Sequence, residues 1–95
     1  VLEGEKAIIL GDMYDLGKES SIEHKKIIKL CQENKHSKCI FIGETFYSFS
    51  NNERNSNFFK NKSDFFSSNM EIGEKNILIK GSRGMEMEEI LKHLK

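Results

Sequence analysis

The sequence predicts a single α/β domain of three layers, a mostly parallel sheet with helices on both faces. Three short apolar runs, Lys6–Leu10 (KAIIL), Lys38–Ile42 (KCIFI) and Asn76–Lys80 (NILIK), are continuous rather than alternating, as strands buried on both faces are. Segments of helical period separate them, and strands alternating with helices join by right-handed crossovers into a covered parallel sheet. The chain has 95 residues, 37% hydrophobic and 32% charged, enough for one modest core in a Rossmann-like domain spanning residues 1–95.

Each element has its own warrant. The Lys6–Leu10 strand ends in Gly11, and Ser20-Ser21-Ile22-Glu23 reads as a capping box that opens a helix running to about Asn34. The apolar stripe of that helix is His24, Ile27, Ile28 and Cys31, with Lys25, Lys26 and Lys29 facing out. Asn34–Ser37 is a turn before the Lys38–Ile42 strand, which again ends in a glycine, Gly43. Glu44–Phe49 reads as a short helix, Ser48–Asn57 as a polar loop, and Asn57–Lys60 (NFFK) as a short strand. Ser63–Met70 reads as a ragged helix opened by Ser63 or Asp64. Asn76–Lys80 is a clear strand closed by Gly81, and a last helix from about Met85 carries Met87, Ile90, Leu91 and Leu94 on one face. The core expected from this layout joins Ile8, Ile9, Ile40, Ile42, Leu78 and Ile79 on the strands to Ile27, Ile28, Ile90 and Leu91 on the helices.

Composition excludes several classes of function. Fifteen basic residues balance fifteen acidic ones, so the chain lacks the positive excess of a general nucleic-acid or membrane-surface binder. No apolar run approaches the roughly 20 residues that span a bilayer. The first residues, VLEGEK, do not read as a signal peptide, and a start at Val1 suggests a piece of a longer protein. Cys31 and Cys39 lie eight residues apart in apolar patterns, with no C-x-x-C pair, as buried free cysteines of a reducing, cytoplasmic compartment do.

The stretch ILGDMYDLGKES, Ile9–Ser20, raises the question of a phosphate loop. A P-loop needs four residues between its glycines and a Ser or Thr after the lysine. Here five residues, Asp12 to Leu16, separate Gly11 from Gly17, and Glu19 follows Lys18, so the stretch is no P-loop. No G-x-S-x-G, G-x-G-x-x-G or metal-ligand spacing occurs either, so any chemistry must draw its machinery from elsewhere.

What the chain does repeat is a strand end. Leu10-Gly11-Asp12, Ile42-Gly43-Glu44 and Lys80-Gly81-Ser82-Arg83 each place a polar residue after a glycine. In an open parallel sheet, ligands bind outside the carboxyl ends of the strands. Asp12, Glu44, Lys80, Ser82 and Arg83 could there grip a zwitterion, carboxylates holding an ammonium and Arg83 or Lys80 a carboxylate or phosphate. Equally, strand-to-helix turns favour glycine and polar residues for their geometry alone. His24, on an apolar helix face, reads as a core-edge histidine bonded to nearby backbone, with a role in the cleft as the alternative. Met85 and Met87 read as packing residues, and His36 and His93 as exposed.

These motifs resemble the C-terminal domain of the Mur ligases. The resemblance rests on Ile9–Ser20, Glu23-His24, Phe41–Glu44 and Ile77–Leu91, in order along nearly the whole chain. It is closest to members that add D-alanyl-D-alanine to UDP-N-acetylmuramoyl-tripeptide in peptidoglycan synthesis. The resemblance implies a three-domain cytoplasmic enzyme that uses ATP and Mg, bound mainly by a central domain absent from this chain. The C-terminal domain would close the cleft and help hold the dipeptide and ATP. Gly11, Asp12, Met13, Gly43, Glu44, Lys80, Gly81, Ser82 and Arg83 are the implied binding residues, with no catalytic residue and no metal ligand in the chain itself. Its partners would be the two substrates and the enzyme's other domains, without nucleic acid or membrane insertion.

The sequence departs from the family in three places. It starts after the family's first strand and helix; Asp15 stands where the family has Glu; and the helix before the last strand is short. Two competing readings are a stand-alone Rossmann-like module that binds a nucleotide or a protein, and a ligase for a different amino acid.

Overall fold

The computed structural model describes residues 6–14, 16–34, 37–53, 55–70, 72 and 76–93, and in them strand and helix alternate as the apolar runs require. The strands β1 (Lys6–Gly11), β2 (Ser37–Ile42), β3 (Ser56–Phe59) and β4 (Asn76–Lys80) form one sheet in the order β3-β2-β1-β4. Every pairing is parallel, with Ile9 of β1 opposite Ile40 of β2 and Ile79 of β4. The chain thus steps outward from β1 to β3 and then returns to the other side of β1 as β4. The fold is the α/β, Rossmann-like three-layer arrangement that the strand and helix pattern predicts.

Alternation along the strands loads both faces. On one face Cys39 and Phe41 of β2 lie under Ile28 of α1 (Ser20–Glu33) and Phe46 of α2 (Glu44–Ser48). Phe41 stacks on Phe58 at 4.8 Å and tilts against Phe46 at 5.0 Å. On the other face Ile9, Ile40 and Ile42 lie under Phe65 of α3 (Lys62–Ser67) and Ile90 of α4 (Glu88–His93), with Met85 and Met87 filling the gap. Each fully buried Ile or Phe contributes about 1.5–3 kcal/mol. Lys25, Lys26 and Lys29 face out from α1 as its stripe requires.

The structure corrects several expectations. Leu78 and Leu91 are not core residues: they are 51% and 50% exposed. β4 is an edge strand, and α1 packs over β1 and β2, so the α1-side surface of β4, where Leu78 lies, is left partly open. Ile8, which shares that face, is half-buried for the same reason. The capping box at Ser20 does not form, because a 3₁₀ turn at Gly17–Glu19 precedes α1 and gives the Ser20 N–H the Gly17 carbonyl. α3 is opened by the Asn61 side chain, which accepts the Asp64 N–H at 2.7 Å, rather than by Ser63 or Asp64. β3 starts one residue earlier than expected, at Ser56. The last helix starts at Glu88, since Arg83–Met85 is a 3₁₀ turn and Glu86, at φ 50°, is left-handed and cannot continue a helix. Leu94, Asp15 and His36 lie outside the described residues, as does the side chain of His93.

Candidate functional site at the strand ends

The strand order reverses at β1: the connection from β1 leaves toward the α1 face and the connection from β4 toward the opposite one. Such a switch point opens a crevice beyond the carboxyl ends of the strands. Here the two loops are stitched across it. The Ser82 N–H donates to the Asp12 carbonyl at 3.2 Å, and the Tyr14 N–H donates to Ser82 Oγ at 2.5 Å. The Tyr14 hydroxyl reaches Met85 Sδ at 3.0 Å.

Asp12 is held from another side. Its buried carboxylate accepts the Phe46 N–H at Oδ1 (3.0 Å) and the Thr45 N–H at Oδ2 (2.9 Å). These are free donors of the first turn of α2, whose N-cap, Gly43, has no side chain to satisfy them. Gly43 is required there: its φ is 137°, and a Cβ would fall 2.2 Å from Asp12 Cγ. Asp12 is therefore the cap of α2, supplied from the loop that follows β1.

His24 completes the support. It is fully buried, its Nδ1 lies 2.7 Å from the Ser20 carbonyl, and its Nε2 accepts the Met13 N–H at 3.1 Å. A carbonyl partner requires Nδ1 to carry the proton, and an N–H partner requires Nε2 to be bare, so these contacts assign the neutral tautomer. The Nε2 contact to Asp12 at 3.9 Å is then no ion pair. His24 is the satisfied core histidine of the simpler reading, with its ring edge-on to Phe46 at 4.5 Å.

Two hollows flank the stitched loops. The first, about 400 Å³, is bounded by Asp12, Gly43 and Glu44 together with Tyr14, Lys60 and Lys62. Lys62 there is engaged: its ammonium bonds Glu89 at 2.6 Å and holds that carboxyl below its usual range. The second hollow, about 310 Å³, has walls of Leu10, Met13, Ile27 and Phe46, with Gly11, Gly81, Ser82 and Lys80 at its strand-end border. The sequence-predicted site residues thus divide between two hollows. Arg83 lines neither; it is exposed and, among the described residues, makes no ion pair with Glu86.

Sequence reasoning missed Tyr14, Lys60, Ile27 and Phe46 as lining residues. Lys60 had a usable signal, since it follows the end of β3 as Lys80 ends β4, but β3 has no terminal glycine to draw attention. Among the described residues no three His, Cys, Asp or Glu side chains converge as metal ligands do. Set against known protein families and against curated proteins, the chain matches none of them.

Proposed function

We propose that this chain is the C-terminal, cleft-closing domain of an ATP-dependent ligase joining D-alanyl-D-alanine to UDP-N-acetylmuramoyl-tripeptide, working in the cytoplasm with the central and N-terminal domains of its parent. The observation that best supports this reading is the second hollow. Its apolar walls suit the two methyl groups of the dipeptide, and Lys80 at its border suits the dipeptide carboxylate. Of the motifs that carry the family resemblance, Gly11 and Met13 of GDM and Lys80, Gly81 and Ser82 of KGSR border this hollow.

On this reading the chain's own contribution is to bind and orient. Lys80 ends a strand paired to the sheet centre, so the cation is presented from rigid backbone. Leu10, Met13, Ile27 and Phe46 exclude water around the methyl groups. The chain supplies no phosphate loop, because Gly11–Gly17 lacks P-loop spacing, and among the described residues no magnesium ligand set converges, so ATP and Mg would be held mainly by the central domain. Among the described residues no helix is long and apolar enough to cross a membrane.

The test uses the parent protein, whose sequence upstream should hold a G-T-x-x-K-T/S loop. Phosphate release should require ATP, the tripeptide substrate and D-alanyl-D-alanine together. Lys80→Met should raise KM for the dipeptide about 10–100-fold, the loss of one charge-assisted hydrogen bond, without shifting Tm. Arg83→Lys should weaken the dipeptide or nucleotide step, because a lysine cannot replace two parallel N–H bonds. A parent without an upstream P-loop, or with kcat and every KM unchanged in both variants, overturns the assignment and favours a stand-alone module.

A further inference from the structure

A groove of about 330 Å³, separate from both strand-end hollows, runs along α1 on the side that faces α2. Lys25, Ile28, Lys29 and Gln32 form its helix wall, at the spacing that puts them on one face of α1. The opposite wall is residues 49–51, at and after the end of α2. Buried Ile28 and partly buried Phe49 give the groove an apolar floor.

The two walls are fixed to each other. Gln32 Nε2 donates to Asn51 Oδ1 at 2.9 Å, and Asn51 Nδ2 donates back to Gln32 Oε1 at 3.1 Å. Gln32 Nε2 also donates to Ser56 Oγ at 2.8 Å. The Lys25 ammonium stands 5.0 Å over the Phe49 ring, a cation–π contact that keeps the cation at the groove.

The groups left unspent around the groove are of one chemical kind. Among the described residues neither Lys25 nor Lys29 has a carboxylate partner, and no carboxylate lines the groove. Asn51 keeps one amide hydrogen, and Ser50 adds a hydroxyl. Two cations and two neutral donors thus border an apolar floor, in a chain whose fifteen basic residues balance fifteen acidic ones. The positive excess belongs to this groove and not to the chain as a whole.

We propose that this groove docks an acidic peptide segment of a partner protein, with its carboxylates on Lys25 and Lys29 and an apolar side chain on Ile28 and Phe49. Charge complementarity selects the occupant, because unpaired ammonium groups and free N–H donors are satisfied by carboxylate acceptors. Lysines offer point charges and not the planar fork that arginine presents to a phosphate. Lys25 also occupies the face of Phe49 on which a nucleobase would stack. The docking is weak and salt-sensitive, since exposed ion pairs each carry little energy. None of the strand-end residues takes part, so the groove can be tested apart from the ligase reading.

The probe is a fluorescein-labelled peptide of sequence EELEE, titrated with the purified chain by fluorescence anisotropy and mapped by amide chemical shifts. The expected result is saturable binding that weakens as salt rises, with shifts confined to residues 25–32 and 49–51. Lys25→Gln and Lys29→Gln should each weaken binding about 2–5-fold, the loss of one exposed ion pair, and together about tenfold. Lys26→Gln removes the same charge from α1 outside the groove and should leave the affinity unchanged. Replacing the leucine of the peptide by serine should weaken binding with the chain unaltered. Absence of saturation, equal weakening by Lys26→Gln, indifference to the leucine, shifts at the strand ends, or displacement by inorganic phosphate as readily as by unlabelled peptide would each overturn the proposal.

Discussion

Replacing Asp12 by Ala asks whether that carboxylate is a structural cap or a ligand group. The side chain is 7% exposed and accepts two amide hydrogens of α2, at 2.9 and 3.0 Å. A hydrogen bond to a charged group is worth about 1.5–3 kcal/mol, and a lost N-cap about 0.5–2 kcal/mol. Asp12 also borders the first hollow, so water can partly replace it, which brings the expected loss to about 2–4 kcal/mol. Asp12→Asn keeps one acceptor oxygen but turns an amide donor toward the second N–H, so it should recover only part of the loss. The assay is urea denaturation of the chain followed by circular dichroism. With a slope of about 1–1.5 kcal/mol per M, the Ala midpoint should fall by about 2 M. A midpoint within about 0.3 M of the parent would show that Asp12 caps nothing, and would restore it as a free carboxylate for a ligand.

Other substitutions test the packing and the charges. Ile28→Ala should cost about 2–5 kcal/mol, whereas Leu78→Ala, on the open face of the edge strand, should cost under about 1 kcal/mol; equal losses would put β4 in the wrong place. Gly43→Ala should cost more than about 2 kcal/mol in the same urea assay, from a φ of 137° and the clash with Asp12. Combined with Asp12→Ala its cost should be less than additive, and strict additivity would refute the contact. The Lys62–Glu89 pair lowers the Glu89 pKa below its ordinary 4.5, so its stabilisation is complete above that value and is lost as pH falls through the depressed one. Denaturation midpoints of the parent and Lys62→Met should therefore differ at neutral pH and converge in acid, and a constant difference would refute the linkage.

What the residues announced and what they withheld follow from how local each cause is. The apolar runs and the α1 stripe are local, and β1, β2, β4 and α1 lie close to where the pattern puts them. The exposure of Leu78 is not local: NILIK reads as buried, and only the strand order makes β4 an edge. The start of the last helix was misplaced because Glu86 adopts a left-handed turn that its own side chain does not advertise. Asp12 serves α2 across 34 residues of sequence, so its burial could not be read from its neighbours.

The strand-end glycines change meaning once the loops are seen. A Cβ on Gly11 would lie 2.7 Å from Met87 Sδ, and one on Gly81 would lie 2.7 Å from Met87 Cγ and 3.2 Å from the Gly11 Cα. Gly84 likewise leaves room for the Tyr14 ring, 3.0 Å from where its Cβ would be. These glycines make room for Met87, Tyr14 and each other, so that GDMY and KGSRGMEM close as one lock with Ser82 as its bolt. A lock of this kind would keep those residues together on packing grounds alone, whatever the domain binds. Functional information must then reside in side chains that the lock does not consume, and at this edge those are Glu44, Lys80 and Arg83. Substituting them should leave stability near that of the parent while changing binding, whereas substitutions at Gly11, Gly81 or Ser82 should lower both together. That split in behaviour separates a binding edge from a merely well-packed one.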